Sequence, residues 1–164
     1  MAERNFVKAL TGDYSLKEER ARRLAAPRVI KAKQLPWGSG PNHWNRDILT
    51  PDTEPFRTQS IHVHMEAEAP GNVSHKHGHQ NEALFYILEG RGHEIHDGER
   101  YEWKAGDLVV VHNDSVHQHW NDDPEHPSRV LVIKTKPLWL FMGLMQQGYV
   151  TRSSEEDHGY RPED

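Results

Sequence analysis

A chain of 164 residues suits one domain, with enough length to bury a core. Its formal charge of −5, with no basic block, argues against nucleic acid as the main partner. The absence of cysteine excludes disulfides and thiolate metal sites, so any metal ligands must be His, Asp or Glu.

The opening "MAERNFVKALTGDYS" lacks the apolar stretch of a signal peptide, and no run of about 18 apolar residues follows. A soluble, cytoplasmic protein with no membrane contact is expected. Residues 1–26 read as helix: "SLKEERARRLAA" opens with a capping box, Ser15 and Glu18, and runs through strong helix formers to Pro27. Residues 34–56 are rich in Pro, Gly and Asn and read as an irregular arm. Trp37 and Trp44 of that arm need something to pack on, either their own core or a second subunit.

From residue 57 to 136 the signal is β. "SIHVHMEA" alternates, and "EALFYILEG" is an aromatic and β-branched run. "HEIHDGERYEW" is a hairpin around Asp97-Gly98, with "GDLVVVH" and "SRVLVIKTK" beyond it. Short strands at close spacing, with no helical period between them, predict a sandwich or barrel. "PLWLFMGLMQQG" then reads as a short helix, Pro137 in its first turn and Gly148 at its stop, buried in the fold or an oligomer interface. The tail from 151 is polar and expected to be loose. The chain thus divides into a helix and arm (1–56), a barrel (57–136) and a helix with tail (137–164). The arm and the apolar 137–148 segment point to a homodimer.

Histidine is the unusual residue. The chain has 13, eight of them between residues 75 and 119. His75, His77 and His79 alternate, as do His117 and His119, and alternate residues of a strand share a face. Crowded inward imidazoles need partners, and neutral imidazole is the commonest metal ligand. His62 and His64 also alternate and are candidates to line the same cavity. Phe85, Trp103 and Trp120 are candidate packing surfaces for a ring substrate, with Arg57 and Gln59 as polar contacts. His93 and His96, flanking the Asp-Gly turn, are expected in solvent.

Two stretches resemble the two motifs of the cupin superfamily. Gly71, five residues, His77-x-His79 and a terminal Gly90 follow the first, with Ala83 where most members keep glutamate. Gly106, five residues, His112-x-Asp114, His117 and Asn121 follow the spacing of the second, with His112 and Asp114 in place of Pro and Gly. The resemblance covers roughly residues 57–136. It implies a jelly-roll β-barrel, here an all-β core with an N-terminal helix and arm and a short C-terminal helix. Within the superfamily, "PGNVSHKHGHQNEALFYILEGRG" is most similar to gentisate and salicylate 1,2-dioxygenases, which hold Fe(II) with three histidines and cleave aromatic rings with O₂. Those enzymes are usually two-cupin chains, and the Arg some of them place by the apolar run is replaced here by Phe85 and Tyr86. Single-cupin diketone dioxygenases share the three histidines and are closer in size.

The resemblance implies His77, His79 and His117 as ligands of Fe(II), with Zn, Mn or Ni as alternatives. Three neutral imidazoles leave the ion at +2, open to an anionic bidentate substrate and O₂. A register shifted by two makes His75 and His77 the pair, with Glu82 as a further ligand. His119 is either an acid–base group beside the metal or a rival ligand, and His75 shares that supporting role if it is not itself a ligand. Three function classes stand open: a dioxygenase acting on a small hydroxylated aromatic or a diketone, a Zn- or Mn-dependent isomerase or lyase, and a non-catalytic small-molecule-binding cupin.

Overall fold

The structure is a computed structural model describing residues 17–52, 58 and 60–163. Two compact units divide the chain after Ile30. In the first, α1 (Lys17–Ala25) is a charged helix that stops before Pro27, whose ring and missing N–H cannot continue it. Ser15, half of the expected capping box, lies outside the described residues.

The second unit is a jelly-roll barrel of two antiparallel sheets. Its strands are β1 (Gly38–Ser39), β2 (His43–Leu49), β3 (His62–Glu68), β4 (Lys76–His79), β5 (Ala83–Glu89) and β6 (Arg91–His96). They continue as β7 (Glu99–Lys104), β8 (Leu108–Val111), β9 (Val116–Asn121), β10 (Ser128–Lys134) and, after the short α2 (Lys136–Phe141), β11 (Gln147–Thr151). One sheet runs β1-β2-β3-β10-β5-β8 and the other β11-β4-β9-β6-β7.

Part of the expected arm is strand. β2 pairs along β3, with Trp44 opposite Ala67 and Asp47 opposite His64. Trp44 donates its indole N–H to the Pro41 carbonyl at 2.9 Å, and Arg46 lies 4.3 Å over the Trp37 ring. Both tryptophans therefore pack within their own chain. The expected helix over 137–148 is only one turn and a half long. Gly143 takes φ +71, and the chain turns back as β11 against β4. Leu138, Leu140, Phe141, Met142 and Leu144 are exposed, so this segment is not buried in the barrel. Nor is the tail loose: Ser153 binds His75, and Asn42 holds the Glu156 carbonyl and the His158 N–H.

The apolar core lies between the sheets at Ala83, Phe85, Ile87, Trp103, Val111, Val130 and Val132. β5 shows the period of two plainly: Ala83, Phe85 and Ile87 face in, while Leu84, Tyr86 and Leu88 face out. Asp97 (φ +50) and Gly98 (φ +97) close the β6–β7 hairpin, the left-handed pair that matches strand twist. Asp114 (φ +63) adopts the left-handed conformation its motif usually gives to glycine. Gly92 cannot carry a side chain, because a Cβ there would lie 1.9 Å from the Trp120 carbonyl oxygen.

Candidate metal centre

Strand register assembles the site. β4 lies beside β9 with His77 directly opposite His117, and β9 lies beside β6 with His96 opposite His117 and Glu94 opposite His119. Directly opposed residues share a face, so this sheet carries a belt of imidazoles on its inner side. The His77 and His117 ring centroids are 4.3 Å apart, and those of His79 and His117 are 4.8 Å apart. One nitrogen from each of His77, His79 and His117 falls within 4.8 Å of the others.

Each of these three rings is tied at Nδ1 to a backbone carbonyl. His77 binds the His75 oxygen at 2.9 Å, His79 the Asn81 oxygen at 2.7 Å and His117 the Ser115 oxygen at 3.0 Å. A carbonyl only accepts, so each Nδ1 carries the proton and each neutral ring presents a lone pair at Nε2. His117 is fully buried, and its Nε2 has no hydrogen-bond partner. A buried nitrogen left so is costly unless something outside the protein satisfies it. Burial pushes the His77 pKa down to about 4, with the His119 and His79 charges adding to it. Burial likewise takes His117 to about 2, and it lowers His79, where Lys134 and Lys136 also contribute. All three are neutral at pH 7, the state a metal requires. The donor set therefore fits a transition metal: three oriented Nε2 lone pairs, with no carboxylate among them.

Around this group the other expected residues divide. His75 lines the cavity, but its Nδ1 accepts from the Ser153 N–H at 2.8 Å. In the neutral ring the proton is then on Nε2, so neither nitrogen is free to coordinate. Glu82 is exposed, and Ala83 is buried in the apolar core. The shifted set His75, His77 and Glu82 is not assembled. His119 lines the cavity, its ring 6.0 Å from His77 and 4.8 Å from Phe85. Its Nδ1 donates to Glu94 Oε1 at 2.9 Å, and the other Glu94 oxygen accepts from His96 Nε2 at 2.6 Å. Burial opposes a charge on His119, but Glu94, with Glu66 and Glu68 adding to it, outweighs burial and the pKa rises.

The cavity is about 700 Å³. Phe85, His62 and His64 line it as expected, although Phe85 also belongs to the core. Trp103 does not line it, since β7 aims that ring into the core. Trp120 alternates away from His119 and stacks on His93 at 4.6 Å. His93 and His96 are not solvated: β6 lies between β9 and β7, and both rings are held by carboxylates, His93 by Asp122 and His96 by Glu94. Arg57 and Gln59 lie outside the described residues. Asp47, Glu66, Lys134 and Tyr149 line the cavity without having been singled out by sequence. Glu66 had a readable signal, because it continues the alternation His62, His64 on one face of β3.

Residues 64–134 match the Cupin domain family. An uncharacterized protein of Methanocaldococcus jannaschii is 32% identical over 73 residues, 44% of this chain and 58% of that protein. Salicylate 1,2-dioxygenase from Pseudaminobacter salicylatoxidans is similar in structure with a TM-score of 0.61 at 16% identity, over 84% of this chain and 36% of that one. A structure of the DMSP lyases RdDddP and RnDddQII is similar with a TM-score of 0.53 at 18% identity, over 62% of this chain and 56% of that one. At these identities the structural likeness is one of fold, and this chain spans little over a third of the dioxygenase. Jelly-roll topology, the two spaced histidine motifs and the family match agree that residues 64–134 are a cupin domain.

Proposed function

We propose that this chain is an Fe(II)-dependent dioxygenase that cleaves a C–C bond of a small hydroxylated aromatic or a diketone with O₂, using His77, His79 and His117 as metal ligands. The observation that supports this most is the set of three Nδ1–carbonyl bonds, which orient neutral imidazoles with no carboxylate among them. Iron bound there supplies an uncompensated +2 charge, open positions for a chelating anionic substrate, and redox chemistry with O₂. The protein supplies the rest. His119, whose Nδ1–H is held by Glu94 and whose pKa the neighbouring carboxylates raise, places an acid–base imidazole on the cavity wall beside a bound oxyanion. Phe85 offers an apolar face beside it. The same reading takes a small molecule and O₂ as partners and the cytoplasm as location.

The test is oxygen uptake by metal-stripped protein reloaded anaerobically with Fe(II), against gentisate, salicylate, catechols, hydroquinones and β-diketones. A Zn-loaded sample is the control, since zinc outcompetes iron at such sites. Uptake with one substrate class that vanishes in the zinc form supports the reading. A flat trace with iron bound overturns it in favour of a Lewis-acid isomerase or lyase, or a binding cupin.

The reading includes a homodimer. Leu84, Tyr86 and Leu88 of β5 and Leu108 and Val110 of β8 stand side by side on the outer face of their sheet, each 38–57% exposed. A second copy of the same face is self-complementary to such a surface.

A further inference from the structure

The three-histidine group occupies one sheet of the barrel, and the other sheet faces the same cavity with a second set of ligand-type side chains. On β3, His62, His64 and Glu66 alternate and so share the inner face. On β2, Asp47 stands directly opposite His64. The His62 and His64 ring centroids are 4.7 Å apart, and His62 Nε2 lies 3.2 Å from Asp47 Oδ1. One nitrogen from each histidine and one Asp47 oxygen lie within 4.8 Å of one another.

His64 carries the argument further. It is 4% exposed, and its Nε2 donates to Glu66 Oε1 at 2.8 Å. That bond places the proton on Nε2 and the lone pair on Nδ1, and Nδ1 has no hydrogen-bond partner. A buried lone pair without a partner is destabilising. A carboxylate that orients a histidine through its far nitrogen is the usual support of a metal ligand. Burial also pushes the His62 pKa down to about 4, with His64 and Lys134 adding to it, so the ring is neutral at pH 7. Lys134, opposite His62 on β10, opposes a cation there. Asp47 and Glu66 contribute two carboxylates against its one ammonium.

We infer that Asp47, His62 and His64 form a second divalent transition-metal site on the wall facing the three-histidine group. Two imidazoles and one carboxylate suit Zn(II), Co(II), Mn(II) or Fe(II) rather than Ca(II) or Mg(II), which prefer all-oxygen shells. Three protein ligands leave positions open to the cavity, where water or a substrate oxygen binds. The Asp47 side chain is 60% exposed, so this site exchanges with solvent at the cavity mouth.

The test is Co(II) binding to the full chain, followed by calorimetry and by the visible spectrum. In the His77→Ala/His117→Ala chain the three-histidine group is gone, and one equivalent of Co(II) is expected to remain through dialysis. Adding Asp47→Asn and His62→Ala is expected to remove it. Asp47→Asn alone, an exposed change that leaves the barrel folded, is expected to weaken the second equivalent of the otherwise intact chain at least tenfold. The site is refuted if the folded His77→Ala/His117→Ala chain binds no cobalt, or if the second equivalent survives Asp47→Asn with His62→Ala. Retention of one equivalent by the Asp47→Asn/His62→Ala chain reports on the three-histidine group separately, so the two readings fail independently.

Discussion

His119 Nδ1 donates to Glu94 Oε1 at 2.9 Å inside the barrel, and the carboxylate is closed off from solvent. Burial works against the Glu94 charge, yet His119 and His96 outweigh it and hold the pKa at about 2, against an ordinary 4.5. The folded carboxyl is the stronger acid, so its stabilisation is present in full above pH 4.5 and is lost as pH falls toward 2. The difference corresponds to about 3 kcal/mol. Urea unfolding midpoints across that window are expected to fall steeply in the parent chain and more gently in Glu94→Gln. Parallel profiles would remove Glu94 as the cause. His119 acts in the opposite direction: its pKa is raised, so its contribution is complete below pH 6.5 and lost as pH rises through the folded value.

His117→Ala and His77→Ala each remove one of three converging nitrogens. Metal affinity is expected to drop by more than the roughly 10–100-fold that loss of an outer hydrogen bond costs, with the far-UV spectrum unchanged. His75→Ala is expected to leave occupancy near the parent level, because that ring is engaged with Ser153. Metal analysis after dialysis distinguishes them, and a complete loss in His75→Ala would restore the shifted register.

Gly92 lies beneath Trp103, whose ring atom is 2.6 Å from where a Cβ would be built, and against the Trp120 carbonyl. Neither neighbour is the flexible end of a side chain. Gly92→Ala is expected to cost about 2 kcal/mol or more through overpacking, read as a lower denaturation midpoint with an unchanged slope. A midpoint equal to the parent's would mean that the β6–β9 backbone yields freely.

The proposed dimer predicts that the parent chain sediments at twice its 19.0 kDa mass. Leu84→Lys with Leu108→Lys, both on the exposed face, is expected to give a folded monomer. A parent chain that stays monomeric across micromolar concentrations would end the proposal.

While β5 read only as an aromatic and β-branched run, the clustering of alternating histidines and the Asp97-Gly98 turn were both legible in the sequence. Each is set by a local period or by the φ preferences of a few residues. His77 and His79 share a face because successive strand residues point to opposite sides. Their meeting with His117 was accessible only through the resemblance, since nothing local joins residues 40 apart.

Partners distant in sequence had to be supplied by the fold. The Pro-, Gly- and Asn-rich arm became β2 because the edge of β3 offered it a ladder of backbone hydrogen bonds. Gln147–Thr151 became strand against β4 rather than the end of an apolar helix for the same reason. Trp103 and Trp120 carry no mark that separates core from cavity, and Glu94 carries none that ties it to His119. Those relationships come from cross-strand register, which places side chains together only once the sheets have formed.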